Sequence, residues 1–312
     1  MIFRLYPLRF VFAARESIHF PIGKSANILR GAFGTIFRRM VCLPSCTDTR
    51  GCDWQAICPY ARMFEPGNLA QSPSGLSDWP RPFVFRATHL DGSTVPAGGH
   101  FHFDLNLFDL EKPAIAYLVT AFAQLAQEGL GPHHGRADLI SVWRRNQAGE
   151  VIAPVFEDNS FRQEGMIAAH LSLQPASTKV ESVSVRFLSP TELKTSHGLA
   201  DRPEFGVLAS RIRDRLSTLR NLYDGGPLEI DFCGFGERAS RVRLTRCHIH
   251  RIEVVRQSSR SGKIHSIGGF IGEAEYEGDL AEFVPYLEAA RWTGVGRQTV
   301  WGKGEISMER GK

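Results

Sequence analysis

The sequence predicts an α+β protein of two tandem ferredoxin-like domains, each a β-α-β-β-α-β unit. Three observations predict it. Strand and helix periodicities follow that order over the first 145 residues. The same order restarts near residue 179. In each half a glycine-rich turn joins the second helix to the last strand, as an internal duplication requires. The expected boundaries are 1–150 for the first domain, with a cysteine-bearing insertion at about 42–80, then a linker at 151–178 carrying a short strand or two, and 179–312 for the second.

In the first half, residues 2–13 are β-branched and aromatic and read as a strand. Leu29, Ala32, Phe33, Ile36, Phe37 and Met40 follow the three-and-four spacing of one buried helix face, capped by Ser25 or Asn27. A second strand is expected near 83–86. Phe101, Phe103, Leu105 and Leu107 then alternate with His100, His102, Asp104 and Asn106, which predicts a strand with one buried and one polar face. A helix at 113–128 begins with proline, whose missing N–H costs nothing in the first turn. Gly129, Gly131 and Gly135 precede a strand at 137–145.

In the second half, Val183, Val185 and Phe187 alternate on a strand. Phe205, Leu208, Ile212, Leu216, Leu219 and Leu222 give a helix face. Residues 227–233 read as an extra strand. Residues 241–256 and 263–277 form a hairpin turning at 258–262, and its apolar phase slips near Thr245, which predicts a bulge. A capping box at Asp279 and Glu282 opens a helix that Pro285 should kink or shorten. The last strand is expected at 303–308.

The chain has 312 residues, is 43% hydrophobic and carries a net charge of +4. This suits two ordinary cores and permits a polyanionic partner. No apolar run is long enough to cross a bilayer, and residues 1–7 resemble a strand rather than a leader. A cytoplasmic protein with reduced or metal-bound thiols is expected.

Two stretches carry chemistry. Residues 294–304 place Gly294, Gly296, Gly302 and Gly304 around five residues, with basic Arg297 and Lys303. Such a loop can aim peptide N–H groups and charge at phosphate; an ordinary glycine turn is the competing reading. From 236 to 263 lie Arg238, Arg241, Arg243, Arg246, Arg251, Arg256, Arg260 and Lys263 against only Glu237 and Glu253. A basic hairpin can cradle a nucleic-acid backbone, or simply keep its sheet soluble.

The glycine loop resembles the C-terminal signature of the CRISPR precursor-RNA processing endoribonucleases of the RAMP superfamily. Leu29-Arg30-Gly31-Ala32-Phe33-Gly34 and the segment ending Cys58-Pro59-Tyr60-Ala61-Arg62 resemble the N-terminal region of one bacterial branch of that family, the turn Gly129–Gly135 sits where the branch has its first glycine turn, and the run from Ser258 through Gly268-Gly269-Phe270-Ile271-Gly272 to Leu280 resembles its C-terminal domain. The resemblance covers most of the chain in order. It implies binding of CRISPR repeat RNA and crRNA, other Cas proteins as partners, no catalytic cofactor and no membrane. It also implies a metal-independent cut in which a ribose 2′-oxygen attacks the adjacent phosphate, leaving a 2′,3′-cyclic phosphate. That chemistry needs a base, an acid and a cation, and needs RNA for its 2′-OH. Lys303 replaces the second hydrophobic residue of the signature. Many relatives have a histidine after the first helix, but none lies between His19 and His89 here. The catalytic candidates are therefore His19, Lys24, Arg30, Arg38, His133, His134 and His265, the arginines as charge stabilisers. The alternative is a non-catalytic RAMP subunit that holds crRNA.

Cys42, Cys46, Cys52 and Cys58 are spaced x3, x5 and x5, looser than paired C-x2-C modules. Four thiolates can hold a structural zinc; free thiols are the other reading. Cys233 and Cys247 read as buried strand residues.

Overall fold

The computed structural model describes residues 1–43, 46, 49–68, 79–195, 198–257, 262 and 264–311, with backbone alone at 50, 256–257 and 264–265. Two compact units divide it: Leu5–Ala169, and His170–Lys312 together with Met1–Arg4.

The first unit contains β1 (Ile2–Ala14), α1 (Ser25–Val41), α2 (Pro59–Phe64), β2 (Phe83–Arg86), β3 (His100–Leu107), α3 (Ile115–Glu128), β4 (Ala137–Arg145), β5 (Val151–Glu157) and β6 (Ser160–Phe161). Its sheet runs β2-β3-β1-β4-β5-β6, and neighbouring strands along it are antiparallel. The alternating phenylalanines of β1 and β3 meet across the sheet: Phe10 pairs with Phe103 and Phe12 with Phe101, rings about face to face at 5.3 and 5.1 Å. Helices α1 and α3 cover that face. Phe33 of α1 sits 4.8 Å from Phe122 of α3 and also meets Phe37, Phe64, Phe83 and Phe85. Phe64 comes from α2, so the insertion contributes to this core.

The other face of β3 is polar, as its alternation predicts, yet its Asp104 and Asn106 end is not solvated. Asp104 is 7% exposed and Asn106 1%. Burial without partners would be costly. Arg9 grips Asp104 through two hydrogen bonds of 2.7 and 3.0 Å, and Arg145 bridges Asp104 and Asn106, each at 2.8 Å. His102 stacks on His89, and burial followed by the Arg9 charge lowers its pKa.

The second unit contains β7 (Ala169–Ser172), then β8 (Ser182–Thr191), α4 (Phe205–Tyr223), α5 (Phe232–Ser240), β9 (Arg243–Ile252), β10 (Gly269–Glu277), α6 (Val284–Thr293) and β11 (Ile306–Arg310). Its sheet runs β9-β10-β8-β11, all antiparallel. Counted within each half, both sheets place their strands second-third-first-fourth. The core is aromatic here too. Phe205 meets Tyr276 and Phe283, and the buried Tyr276 hydroxyl donates to the Pro203 carbonyl at 2.7 Å. Among the described residues, no helix is long and apolar enough to cross a membrane.

Several expectations change. Residues 227–233 form no strand; a helix, α5, starts at Phe232, with the Asp231 carboxylate accepting the Gly234 N–H at 3.0 Å. Cys233 is therefore exposed on a helix rather than buried in a strand. Helix α6 starts at Val284, not Asp279, so Pro285 sits in its first turn and kinks nothing. Neither Ser25 nor Asn27 caps α1. Asp91, 66 residues away, accepts from the Ser25 N–H at 3.0 Å and from its hydroxyl. The bulge at Thr245 is present as a register shift between Leu244 and Arg246. The hairpin turn at 258–261 lies outside the described residues.

Phe33 is fully buried and touches rings from α1, α2, β2 and α3. Phe33→Ala should cost about 3–5 kcal/mol of stability, seen as a lower urea midpoint at unchanged m-value. A loss under about 1 kcal/mol would mean that this cluster collapses around the gap.

Candidate nucleic-acid interface

The two glycine turns are built alike. In the second unit, loop 294–304 lies against the segment that follows β8. The Arg297 N–H donates to the Glu192 carbonyl at 3.1 Å, and the Gly304 N–H to the Pro190 carbonyl at 3.0 Å. The Val295 N–H closes the loop on the Gly304 carbonyl at 2.9 Å. A Cβ on Gly296 would overlap the Glu192 carbonyl, and one on Gly304 would overlap that of Val295. Both residues also have positive φ, so glycine is required twice over. In the first unit, turn 129–135 lies against the segment that follows β1. A Cβ on Gly131 would stand 2.6 Å from the His19 carbonyl oxygen, and one on Gly135 would overlap that of Ser17.

This docking gathers several of the catalytic candidates. His133 and His134 are exposed on the turn whose backbone abuts His19. His134 adopts a left-handed φ of 53°, uncommon for a side chain with a Cβ. His19 is half-buried, with Nδ1 3.0 Å from the Thr94 hydroxyl. Lys24, half-buried, occupies the N-cap of α1 a few residues on. Arg30 and Arg38 are engaged elsewhere. The Arg30 guanidinium lies 5.1 Å from the Phe64 ring, and that of Arg38 5.8 Å from Tyr60, while Arg38 donates to the Cys46 carbonyl at 3.0 Å. Both arginines thus brace α2 against α1.

In the second unit Lys303 is only 4% exposed, so it is not presented to a phosphate as the sequence suggests. The loop amides at 294, 295, 297, 301, 302 and 304 all donate to protein carbonyls. The glycines are first a packing device. Arg297 is half-exposed and meets Glu192 at 3.3 Å. Its neighbour Gln298 has a left-handed φ of 63° and donates to the Ser266 carbonyl at 2.9 Å.

The basic hairpin is less bare than its own sequence implies. Arg243 faces Glu277 at 3.0 Å, Arg246 faces Glu275 at 3.3 Å, and Arg251 meets Asp201 at 3.2 Å. Those acids sit on β10 and a distant loop, outside the window in which the sequence count was made. Arg241 is exposed at the end of α5. Arg256 and His265 are register partners in a short strand pair, Val255–Gln257 with Ile264–Ser266. Arg260 lies outside the described residues. Three residues were missed. The Arg246 Nε donates to the His248 Nε2 at 2.8 Å, His248 is the register partner of Glu273, and Glu273 accepts from the Ser184 hydroxyl at 2.6 Å. Period-two alternation puts Arg246, His248 and His250 on one face of β9 and could have found that histidine pair.

The four cysteines of the insertion fall at the junction of α1 and α2; Cys42 follows α1 and Cys58 precedes α2. None is in a disulfide.

Comparison with known proteins decides the family. An N-terminal-domain model, AF_1859_N, matches residues 3–170, more than half of the chain. The model of the CRISPR-associated endoribonuclease Cas6 matches residues 185–306, from β8 through the glycine loop. Residues 185–306 thus match the Cas6 family of CRISPR-associated endoribonucleases, and residues 3–170 match the AF_1859_N domain family. Solved structures agree in fold. A Cas6 product complex matches with a TM-score of 0.56 at 16% identity, over 98% of this chain and 99% of that one. Cas6 from Thermus thermophilus matches with a TM-score of 0.53 at 15% identity, over 99% of each chain. A chain of a partial Cas6-RT-Cas1–Cas2 complex matches with a TM-score of 0.57 at 11% identity, over 99% of this chain and 46% of that one. No curated protein sequence matches. The Cas6 match takes in both the basic edge strand and the glycine loop.

Two glycines separate packing from conformation. Gly304 and Gly225 both have positive φ, +67° and +74°, but only Gly304 has a carbonyl in the way of a Cβ. Gly225→Ala should cost about 1–2 kcal/mol from the left-handed backbone alone. Gly304→Ala should cost clearly more, read as a larger drop in Tm. Equal drops would mean that the loop does not need its close approach.

Proposed function

We propose that this chain is an endoribonuclease that binds CRISPR repeat RNA and cuts precursor crRNA without a catalytic metal. Both of its units are read as ferredoxin-like domains, at 1–150 and 179–312. The observation that carries the reading is the Cas6 match over 185–306. The RNA-binding surface is assigned to Arg297, the glycine loop and the arginines of β9 with Arg241, Arg256 and Arg260.

The cut is a transesterification. The 2′-oxygen attacks the adjacent phosphorus as its proton passes to a base, the P–O5′ bond breaks, and an acid protonates the leaving 5′-oxygen. The products are a 2′,3′-cyclic phosphate and a 5′-hydroxyl. His19, His133 and His134 are the proposed proton carriers, because the docked turn brings them to one end of the first unit. Lys24 supplies positive charge there. One structural neighbour belongs to a Cas6-RT-Cas1–Cas2 complex, so other Cas proteins are candidate partners.

Purified protein should cut repeat RNA once in excess EDTA, leave a cyclic phosphate, and fail on RNA with a single 2′-deoxy sugar at the cut. Tight binding with no cut would identify a crRNA-holding subunit instead. Replacing the true proton carrier by alanine should lower single-turnover cutting about 10²–10⁴-fold with little change in RNA affinity. Normal cutting by His19→Ala, His133→Ala and His134→Ala alike would remove this site. Arg297→Ala should weaken repeat RNA binding and lower the slope of log K against log salt by about one; an unchanged slope would take Arg297 off the RNA path.

A further inference from the structure

The segment between β1 and α1 is pinned from two sides. On one side Ile18–His19 pairs with Thr94–Val95, Ile18 opposite Val95 and His19 opposite Thr94. Ile18, Phe20 and Val95 are buried, so His19 and Thr94 project together on the open face of this short ladder. The Phe20 N–H extends the pairing by donating to the Ser93 carbonyl at 2.9 Å, and the Phe20 ring lies 5.6 Å from that of Phe101. On the other side lies the glycine turn. The N–H groups of Arg15 and Glu16 donate to the Arg136 carbonyl at 2.8 and 3.1 Å, and Gly131 abuts the His19 carbonyl. The backbone at His19 is therefore fixed. Its ring is set by one further contact, from Nδ1 to the Thr94 hydroxyl at 3.0 Å.

A contact at Nδ1 leaves Nε2 as the nitrogen that can meet a substrate. A threonine hydroxyl can donate or accept, and only one direction suits a proton carrier. If the hydroxyl donated to Nδ1, the neutral ring would hold its proton on Nε2 and offer no lone pair to a 2′-OH. Proton uptake would then have to break the contact. If Nδ1–H donates to Oγ1, the lone pair stands on Nε2, and the same hydrogen bond survives when the ring becomes imidazolium.

We infer that Thr94 is a positioning residue for the cut: its Oγ1 accepts from the His19 Nδ1–H and holds the ring in the tautomer whose Nε2 takes the proton of the ribose 2′-OH. The 2′-O–H bond breaks, an N–H bond forms at Nε2, and Nδ1–H stays on Thr94 throughout. The inference rests on the reading of His19 as a proton carrier. A neutral acceptor also suits this place, because it orients the ring without setting a negative charge beside an incoming phosphate.

The test begins on the full chain, isotopically labelled on the histidine nitrogens and free of RNA. Among its eleven histidines, the His19 signals are those missing from His19→Gln. In its neutral form the wild-type ring should carry its proton on Nδ1. Thr94→Val, which keeps a strand-forming side chain, should lose that preference. At saturating protein, Thr94→Val should cut repeat RNA about ten- to a hundredfold more slowly, as expected for a hydrogen bond to a ring that gains charge, with RNA affinity unchanged. Thr94→Ser keeps the hydroxyl and should restore both the tautomer and most of the rate. A proton on Nε2 of the neutral wild-type ring would overturn the proposal, a result that stands even if Thr94→Val does not fold. So would wild-type cutting by Thr94→Val. Normal cutting by His19→Ala, with the Nδ1–H tautomer present, would instead overturn the proton-carrier reading beneath it and leave Thr94 no part in the cut.

Discussion

The structure depends on a close approach of backbone to backbone that is made twice. In each half a glycine turn lies directly on the segment that follows the first strand, and a Cβ at Gly131, Gly135 or Gly296 would meet a main-chain carbonyl. Side chains cannot substitute for this contact, since they would enter it. The consequence is positional. The segment after the first strand, the turn and the start of the last strand are held together in both units. That is where His19, His133 and His134 come together in one, and Glu192 with Arg297 in the other.

Around these turns the cores are aromatic and the polar groups are satisfied internally. Phenylalanines from β1, β2, β3, α1, α2 and α3 interlock in the first unit. The polar face of β3 is closed by Arg9 and Arg145 rather than by water. Charge-assisted hydrogen bonds of this kind offset the cost of burying Asp104. Arg30 and Arg38 belong to the same economy; their guanidinium planes lie on the rings of α2 and make that short helix part of the core.

The basic edge of the second unit works by a different balance. Its arginines meet glutamates of β10 at the surface, where an ion pair is worth about 0–1 kcal/mol. Pairs this weak hold the side chains out along the strand and give them up readily to a stronger anion. A phosphate backbone offers more charge and releases counterions on binding.

The sequence by itself determined the order of the elements other than α2 and α5, the buried faces of α1 and α4, the alternation in β3 and β8, the bulge at Thr245 and the two glycine turns. All of these are local. They follow from periodicity or from backbone freedom within a few residues. Tertiary structure alone decided the rest. Asp91 caps α1 from 66 residues away, the acids facing the basic strand arrive by cross-strand register, and Lys303 is buried. Helix α5 was also hidden, because its nine residues bury only Phe235 and Ala239, too few for a helical period to show. Likewise, His19 is far in the chain from His133 and His134, and only the glycine contact brings the turn that carries those two onto the His19 backbone. Local pattern sets what each segment becomes; which charges and side chains meet is set by packing between segments, which no short window of sequence contains.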